Sequence, residues 1–280
     1  MNVKARRWLL PAALLLCCAA FGVYRVIGAG EVDREAPQIT MDAEEITLSV
    51  SEEQTALLRG VTAYDAQDGD VTDSLVVESV RGVVDDRRFT VTYAAFDAAG
   101  NVTKARRTVF YEDYAAPRFS LEKPLIFRSG TTPDIFGVVH AQDVFDGDLT
   151  GRIKGTLVSG AQQLTEAGDY VVEFRVSNGL GDTAYLTAPV RIVDGWSGTQ
   201  LALTEYLVYL PRGAAFEPET YVEGLSLGMR RITPEDEGLT LTVESDVDTA
   251  LPGVYCVDYT AVYGAQSAST RLLVVVEEQA

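Results

Sequence analysis

The sequence predicts an all-β protein of three tandem antiparallel β-sandwiches that follow an N-terminal apolar helix. One observation is an internal repeat of about 80 residues, which fills the chain after residue 30 and indicates one structural unit per repeat. A second is that segments between turn residues alternate apolar and polar side chains with a period of two, which is typical of half-buried strands. Helical periodicity is not sustained anywhere after residue 30.

Residues 1–30 are predicted to be a signal or membrane anchor, and residues 31–35 a linker. Lys4, Arg6 and Arg7 precede an uncharged stretch, rich in Leu and Ala, from Trp8 to Tyr24. Basic residues on this side place the N-terminus in the cytoplasm and the remainder outside. We therefore expect residues 8–27 to cross a bacterial cell membrane once, with the C-terminal part extracellular. Secretion after cleavage of the leader is the alternative.

The repeat is recognised by three elements. The start Ala36-Pro37 recurs as Ala116-Pro117. The loop Asp65-Ala-Gln-Asp68-Gly69-Asp70 recurs as Asp143-Val-Phe-Asp146-Gly147-Asp148. An alternating strand then occurs in each unit, as Phe89-Thr-Val-Thr-Tyr93, Tyr170-Val-Val-Glu-Phe174 and Tyr255-Cys-Val-Asp-Tyr259, with the first, third and fifth residues predicted to face the core. The predicted domains are 36–113, 116–194 and a divergent 198–278.

The first unit resembles the bacterial immunoglobulin-like domain that is also found in some insecticidal crystal proteins. The resemblance lies in its Ala-Pro start, its Asp-rich loop, and the strand that leads into Asp97-Ala-Ala-Gly100-Asn101. The second unit keeps the first two elements and ends in Asn178-Gly-Leu-Gly-Asp182, whereas the third keeps only Gly253-Val-Tyr255 and its strand. The resemblance implies tandem immunoglobulin-like sandwiches on an extracellular protein, used as spacers or binding modules. It implies no reaction.

The Asp-rich loops are the candidate metal sites. Carboxylates at this spacing, with backbone carbonyls, supply oxygen ligands of the kind that Ca²⁺ prefers. With immunoglobulin-like connectivity, each loop lies at the end where the chain enters its unit, so Glu112 and Asp113 of the linker would add ligands between the first two units. The alternative is that the Asp side chains only stabilise turns. The candidate calcium ligands are Asp65, Asp68, Asp70, Asp143, Asp146 and Asp148. No other cofactor is expected.

Composition argues against several other functions. The chain has 23 Lys and Arg against 41 Asp and Glu, a net charge of −18, so nucleic acid is not an expected partner. Its one histidine, His140, corresponds to Thr62 in the first unit and is predicted to be a strand residue. Only Cys256 follows the leader, on the outward side of its strand, so we expect a surface or edge thiol and no internal disulfide. We predict no catalytic residues and no enzymatic activity.

The sequence favours a non-enzymatic, membrane-anchored extracellular stalk or adhesion protein. A glycan- or peptide-binding module is the alternative, with the third domain as its recognition end, because Trp196, Tyr206, Tyr209 and Tyr221 cluster in or after the linker before it. For Trp196, the sequence favours packing in the joint between the second and third domains. A hydrolase accessory protein is a more distant third. The expected partners are the membrane and an unknown extracellular protein or glycan.

Overall fold

The computed structural model describes residues 16–21, 23, 33–85, 87–159, 164–195 and 199–278, with no side-chain description at 83–85. The predicted leader falls largely outside these ranges. Within it, residues 16–21 and 23 are helical. Among the described residues, none of the helices is both long enough and apolar enough to cross a membrane.

The first repeat contributes two sheets. One has the strand order β1-β3-β4 and the other the order β2-β7-β6-β5. Two 3₁₀ helices, Gln54–Leu58 and Thr72–Ser74, connect strands. The strands are β1 (Gln38–Met41), β2 (Glu45–Leu48), β3 (Val61–Asp65), β4 (Gly69–Asp70), β5 (Val76–Asp85), β6 (Arg88–Phe96) and β7 (Val102–Tyr111).

The second repeat has the same arrangement, with sheets in the orders β11-β10-β8 and β12-β13-β14-β9. Its 3₁₀ helix, Thr150–Arg152, occupies the place of Thr72–Ser74. The strands are β8 (Arg118–Leu121), β9 (Ile126–Arg128), β10 (Val139–Asp143), β11 (Gly147–Asp148), β12 (Lys154–Ser159), β13 (Gly168–Ser177) and β14 (Thr183–Val193).

The third repeat again forms a three-stranded and a four-stranded sheet, in the orders β15-β17-β18 and β16-β21-β20-β19. A 3₁₀ helix, Pro218–Tyr221, precedes β17. The strands are β15 (Gln200–Leu203), β16 (Leu207–Pro211), β17 (Val222–Leu227), β18 (Arg230–Ile232), β19 (Leu239–Ser245), β20 (Gly253–Tyr263) and β21 (Gln266–Glu277). The fold is therefore all-β and built of tandem β-sandwiches.

The prediction of purely antiparallel sandwiches is wrong for one strand pair in each repeat. In the second repeat β9 pairs with β14 in parallel, and in the third β16 pairs with β21 in parallel. In the first, backbone bonds from Thr108 N to Glu44 O and from Glu112 N to Leu48 O show the same direction. The chain crosses from one sheet to the other after the first strand, and so meets the last strand of the repeat at an open edge.

The cores follow the predicted alternation. The inward residues of the repeated strand are at most 3% exposed in the first two repeats, and Val257 and Tyr259 are fully buried in the third. Tyr255 departs from the pattern, because it is only partly buried and its hydroxyl donates to Leu251 O at 2.8 Å.

The described chain divides into two compact units. The first comprises residues up to Ile46, Glu53–Val80 and Thr90–Val109, and the second comprises Thr47–Glu52, Arg81–Phe89 and the chain from Phe110 onward. The division passes through β2, β5, β6 and β7. Separate domains at 36–113, 116–194 and 198–278 remain a prediction.

Candidate functional site

The Asp-rich loop of the first repeat is folded by its own carboxylates. Asp65 ends β3 with 2% exposure, and its Oδ1 accepts hydrogen bonds from the backbone N of Gln67 at 2.7 Å and of Asp68 at 3.0 Å. Gly69 then has a φ of +80°, a left-handed conformation that glycine adopts without strain. One oxygen of Asp65 therefore stabilises the turn.

Two further carboxylates converge on Asp65. Asp68 lies in the same loop, and its Oδ2 accepts from Ala98 N at 2.8 Å, which ties the loop to the turn between β6 and β7. Asp33 arrives from the segment before β1, and its Oδ1 accepts from Gln67 Nε2 at 2.9 Å and from Glu35 N at 3.0 Å. One carboxylate oxygen from each of Asp33, Asp65 and Asp68 lies within 4.8 Å of the other two.

This triad fits a hard cation in geometry and in chemistry. Three oxygens that lie within 4.8 Å of one another share a central point no more than about 2.8 Å from each, close to the 2.3–2.6 Å of Ca²⁺–oxygen bonds. Each carboxylate uses one oxygen for the donors described above and leaves its second oxygen without a donor in the described part of the chain. Three carboxylates this close also repel one another, and a cation would relieve that repulsion.

The turn between β6 and β7 supports the triad. Asn101 Nδ2 lies within hydrogen-bonding distance of Asp33 O at 3.2 Å, Glu35 O at 3.1 Å and Asp97 Oδ2 at 2.7 Å. Burial acts to raise the pKa of Asp97, but hydrogen bonds from the side chain and backbone of Asn101 outweigh it and lower that pKa. Asn101 thereby holds the incoming segment, and Asp33 with it, against the loop.

Asp70 belongs to the predicted ligand set but not to the triad. Its Oδ1 accepts from Thr72 N at 3.0 Å, and hydrogen bonds from the side chain and backbone of Thr72 lower its pKa. Asp148 makes the matching contact with Thr150 N at 2.9 Å, and its pKa is lowered in the same way. Both carboxylates therefore stabilise the turn that leads from a short strand into a 3₁₀ helix, so for these two positions the turn interpretation describes the structure.

In the second repeat, protein donors surround the remaining predicted ligands. Asp143 Oδ2 accepts from Asn178 Nδ2 at 2.8 Å. Asp146 Oδ2 accepts from Gly179 N at 2.7 Å and pairs with the guanidinium of Arg152. The aligned positions in the first repeat hold Asp97 in place of Asn178 and Ser74 in place of Arg152. A fixed positive charge thus accompanies the carboxylates of the second loop, whereas the first loop keeps its negative charge.

The predicted contribution of the linker acids to the second loop is not seen. Asp113 accepts instead from Ser49 Oγ at 2.6 Å and from Val50 N at 2.7 Å. The residue that reaches the second loop is Tyr114, which sequence reasoning missed. Its hydroxyl donates to Asp182 Oδ2 and accepts from Asn178 Nδ2, both at 2.8 Å. Burial, followed by the nearby Asp182 carboxylate, strongly raises the pKa of Tyr114.

The second and third repeats share a buried joint. Leu207 and Leu273 of the third repeat belong to the same apolar cluster as the core of the second. At its edge, the guanidinium of Arg118 lies 2.7 Å from a Glu277 carboxylate oxygen and 4.8 Å from the ring centre of Tyr209. The hydroxyl of Tyr209 accepts from Phe119 N at 3.1 Å.

The remaining residues singled out from sequence have structural places. Tyr209 is used in the joint just described, Tyr206 packs against the cores of both the second and third repeats, and Tyr221 stacks near Phe216. Trp196 lies outside the described residues. His140 lies in β10, 3.6 Å from a Glu122 carboxylate, as expected of a strand residue. These tyrosines are therefore half-buried by contacts with other residues.

Cys256, predicted to be a surface or edge thiol, is only partly exposed. It packs against the apolar cluster of the second repeat, and burial raises the pKa of its thiol. It lies on the outward side of its strand, as expected, but that side is covered because the second repeat packs there.

Comparison with protein-family models and with curated proteins finds no match. Solved structures give distant similarities. The CBM51-2 and INT domains of Clostridium perfringens ZmpB, in complex with GlcNAc, are 17% identical, with 50% of this chain and 29% of that chain covered and a TM-score of 0.23. The M60 catalytic domain of ZmpB with CBM51-1 and CBM51-2 is 12% identical, with 87% and 31% covered and a TM-score of 0.24. The chain thus spans under a third of either ZmpB structure.

Domains EC1-3 of Drosophila N-cadherin are also similar. They are 15% identical, with 89% of this chain and 90% of that chain covered and a TM-score of 0.30.

Proposed function

We propose that the protein is a non-enzymatic, membrane-anchored stalk of the bacterial cell surface, in which a buried joint holds the second and third β-sandwiches in a fixed orientation. The observation that carries the proposal is the joint between the second and third repeats, where Leu207 and Leu273 complete the core of the preceding repeat. The basic and apolar leader supplies the anchor and its orientation.

The joint is built for stiffness. Domains joined only by a linker move independently unless a large apolar interface holds them. Here apolar burial is combined with directional contacts, since Arg118 pairs with Glu277 and Asp258 lies close to both Arg191 and Arg271. Sliding of one repeat across the other would break these contacts together.

Stiffness can be measured by the distance between two spin labels in the full-length protein. With the native cysteines replaced by serine, labels at Lys123 and Thr240 report on the second and third repeats from exposed positions. We expect a narrow distance distribution, which broadens when Leu273→Ser weakens the joint. Thr270→Ser is the matched control on the same strand. A broad distribution in the parent protein would contradict the stalk proposal.

Calcium at the Asp33, Asp65 and Asp68 triad is the second part of the proposal. Asp33 lies in the linker that leads from the leader, whereas Asp65 and Asp68 belong to the first repeat. A cation held by all three would fix the orientation of the linker relative to the first repeat. Calcium would supply positive charge only, and the carboxylates would provide the ligands and the specificity.

Thermal unfolding of the full-length protein in detergent tests this site. Saturating calcium at about 100 times its Kd should stabilise the ligand-bound state by about 2.7 kcal/mol, a rise in Tm of roughly 5–10 °C. Asp33→Asn should remove most of that rise, whereas Asp70→Asn should keep it because Asp70 is outside the triad. An unchanged Tm at millimolar calcium, or equal losses in both variants, would exclude calcium at the triad and leave the stalk proposal standing.

A further inference from the structure

The outer face of the four-stranded sheet in the second repeat carries two adjacent cations. Lys154 of β12 is directly opposite Arg175 of β13 in the antiparallel register. Directly opposed residues on one face have Cβ atoms about 5 Å apart, and like charges in that position destabilise a sheet. Both side chains are exposed, and neither has an ion pair or hydrogen bond within the described residues. The two positive charges therefore repel each other, and a bound anion would relieve that repulsion.

The charge distribution of the chain makes the pair unusual. After residue 30 the protein has 19 basic and 41 acidic residues, so carboxylates are abundant. The two neighbouring charges on or beside this face do not neutralise Lys154 or Arg175. Glu173 lies two residues from Arg175 on the same face, outside ion-pair distance, and Arg152 is already paired with Asp146.

The face next to the cations has the features of a sugar-binding surface. Tyr185 of β14 is opposite Arg175 on the other side and is 61% exposed. Ser177 and Thr183 form the next opposed pair, with hydroxyl oxygens 2.7 Å apart. A shallow depression is lined by Lys154, Arg175 and Ser177, together with Arg152. Tyr185 and Thr183 lie beside it on the neighbouring strand, so cations, hydroxyl groups and one amphipathic ring are adjacent on the same face of the sheet.

We propose that this face binds a phosphorylated saccharide. Arg175 and Lys154 hold the phosphate group, since a guanidinium forms paired hydrogen bonds with phosphate oxygens and an ammonium adds a second charge. The ring of Tyr185 covers an apolar side of the sugar, and the hydroxyls of Ser177 and Thr183 meet the sugar hydroxyls. An acidic polypeptide fits less well, because the many carboxylates of this chain repel it while a phosphate concentrates its charge at the cation pair. The inference does not depend on the stalk proposal.

Isothermal titration calorimetry with the full-length protein at low salt tests the site. Glucose 1-phosphate should bind saturably in the micromolar to millimolar range, inorganic phosphate more weakly, and glucose without detectable heat. Arg175→Gln should weaken glucose 1-phosphate binding by about tenfold or more, through loss of charge-assisted hydrogen bonds. Lys123→Gln is the matched control, because Lys123 is an exposed cation of the same repeat that is off this face.

A second variant separates the two parts of the ligand. Tyr185→Ser should weaken glucose 1-phosphate binding but leave inorganic phosphate unchanged. Equal affinities for phosphate and glucose 1-phosphate would overturn the saccharide assignment. Tighter binding of a glutamate hexapeptide would overturn it in favour of an acidic segment. Absence of saturable binding, or identical affinities in the parent and Arg175→Gln, would overturn the site itself.

Discussion

Replacing Tyr114 by Phe isolates the hydroxyl that connects the linker to the second repeat. The substitution keeps the ring and its edge-on contact with Phe89, whose centroid is 4.9 Å away. It removes the hydrogen bond to Asp182 and leaves the amide of Asn178, which is 6% exposed, one acceptor short. An unsatisfied buried polar group costs about 1–3 kcal/mol. We therefore expect a loss of about 2 kcal/mol.

Thermal denaturation followed by circular dichroism measures this loss. Tyr114 belongs to the larger compact unit, which includes the whole chain from Phe110 onward. For a unit of about 150–250 residues, about 2 kcal/mol corresponds to a decrease in Tm of roughly 4–8 °C. Tyr185→Phe is the matched control, because that hydroxyl lies on a side chain that is 61% exposed, and its removal should change stability by less than about 0.5 kcal/mol. If Tyr114→Phe is no more destabilising than Tyr185→Phe, the Tyr114 hydroxyl does not stabilise the contact between the linker and the second repeat.

Two further predictions concern titration and reactivity. The hydrogen bonds from Ser49 and Val50 lower the pKa of Asp113, so its contribution to stability is present above about pH 4 and is lost as the pH falls through the lowered pKa. Melting curves from pH 6 to about pH 3 should therefore show that the Tm difference between the parent and Asp113→Asn narrows with acid, and a constant difference over this range would contradict this account. Burial raises the pKa of Cys256 and restricts access to it, so in a protein with Cys17→Ser and Cys18→Ser its thiol should react slowly with a thiol reagent when folded and rapidly in urea. Equal rates in the two conditions would mean that the second repeat does not cover it.

The strands and their core faces could be predicted from local sequence, because a period of two directly specifies which side chains point inward. The alternation from Phe89 to Tyr93 and from Tyr170 to Phe174 matches the buried set. The location of the Asp-rich loop beside the turn that follows β6 was also predictable, and the bond from Ala98 N to Asp68 confirms it.

The composition of the candidate site was only partly predictable. Asp33 is 32 residues before Asp65 in sequence and reaches it through the course of the chain before β1, which local spacing does not reveal. Comparison of the repeats offered one signal, since Asp97 aligns with Asn178 and Ser74 with Arg152, differences that make the second loop less negative than the first.

Two features depend on contacts between segments that are distant in the sequence, and local sequence patterns do not reveal such contacts. The opposition of Lys154 and Arg175 requires the register of β12 on β13. The burial of Cys256 requires the packing of one repeat on another, because the same alternation would leave that side chain in solvent on an isolated sandwich.

The parallel pairing of β16 with β21 determines how the third repeat responds to mechanical force. β16 comes early in the repeat and β21 ends it, and they are paired from Leu207 with Leu273 to Pro211 with Glu277. Tension between the two ends of the repeat therefore pulls these strands in opposite directions along their length. The hydrogen bonds between them lie across the pulling direction and are loaded simultaneously, so they must rupture as a group. The same pairing in the other repeats gives each sandwich a mechanical clamp.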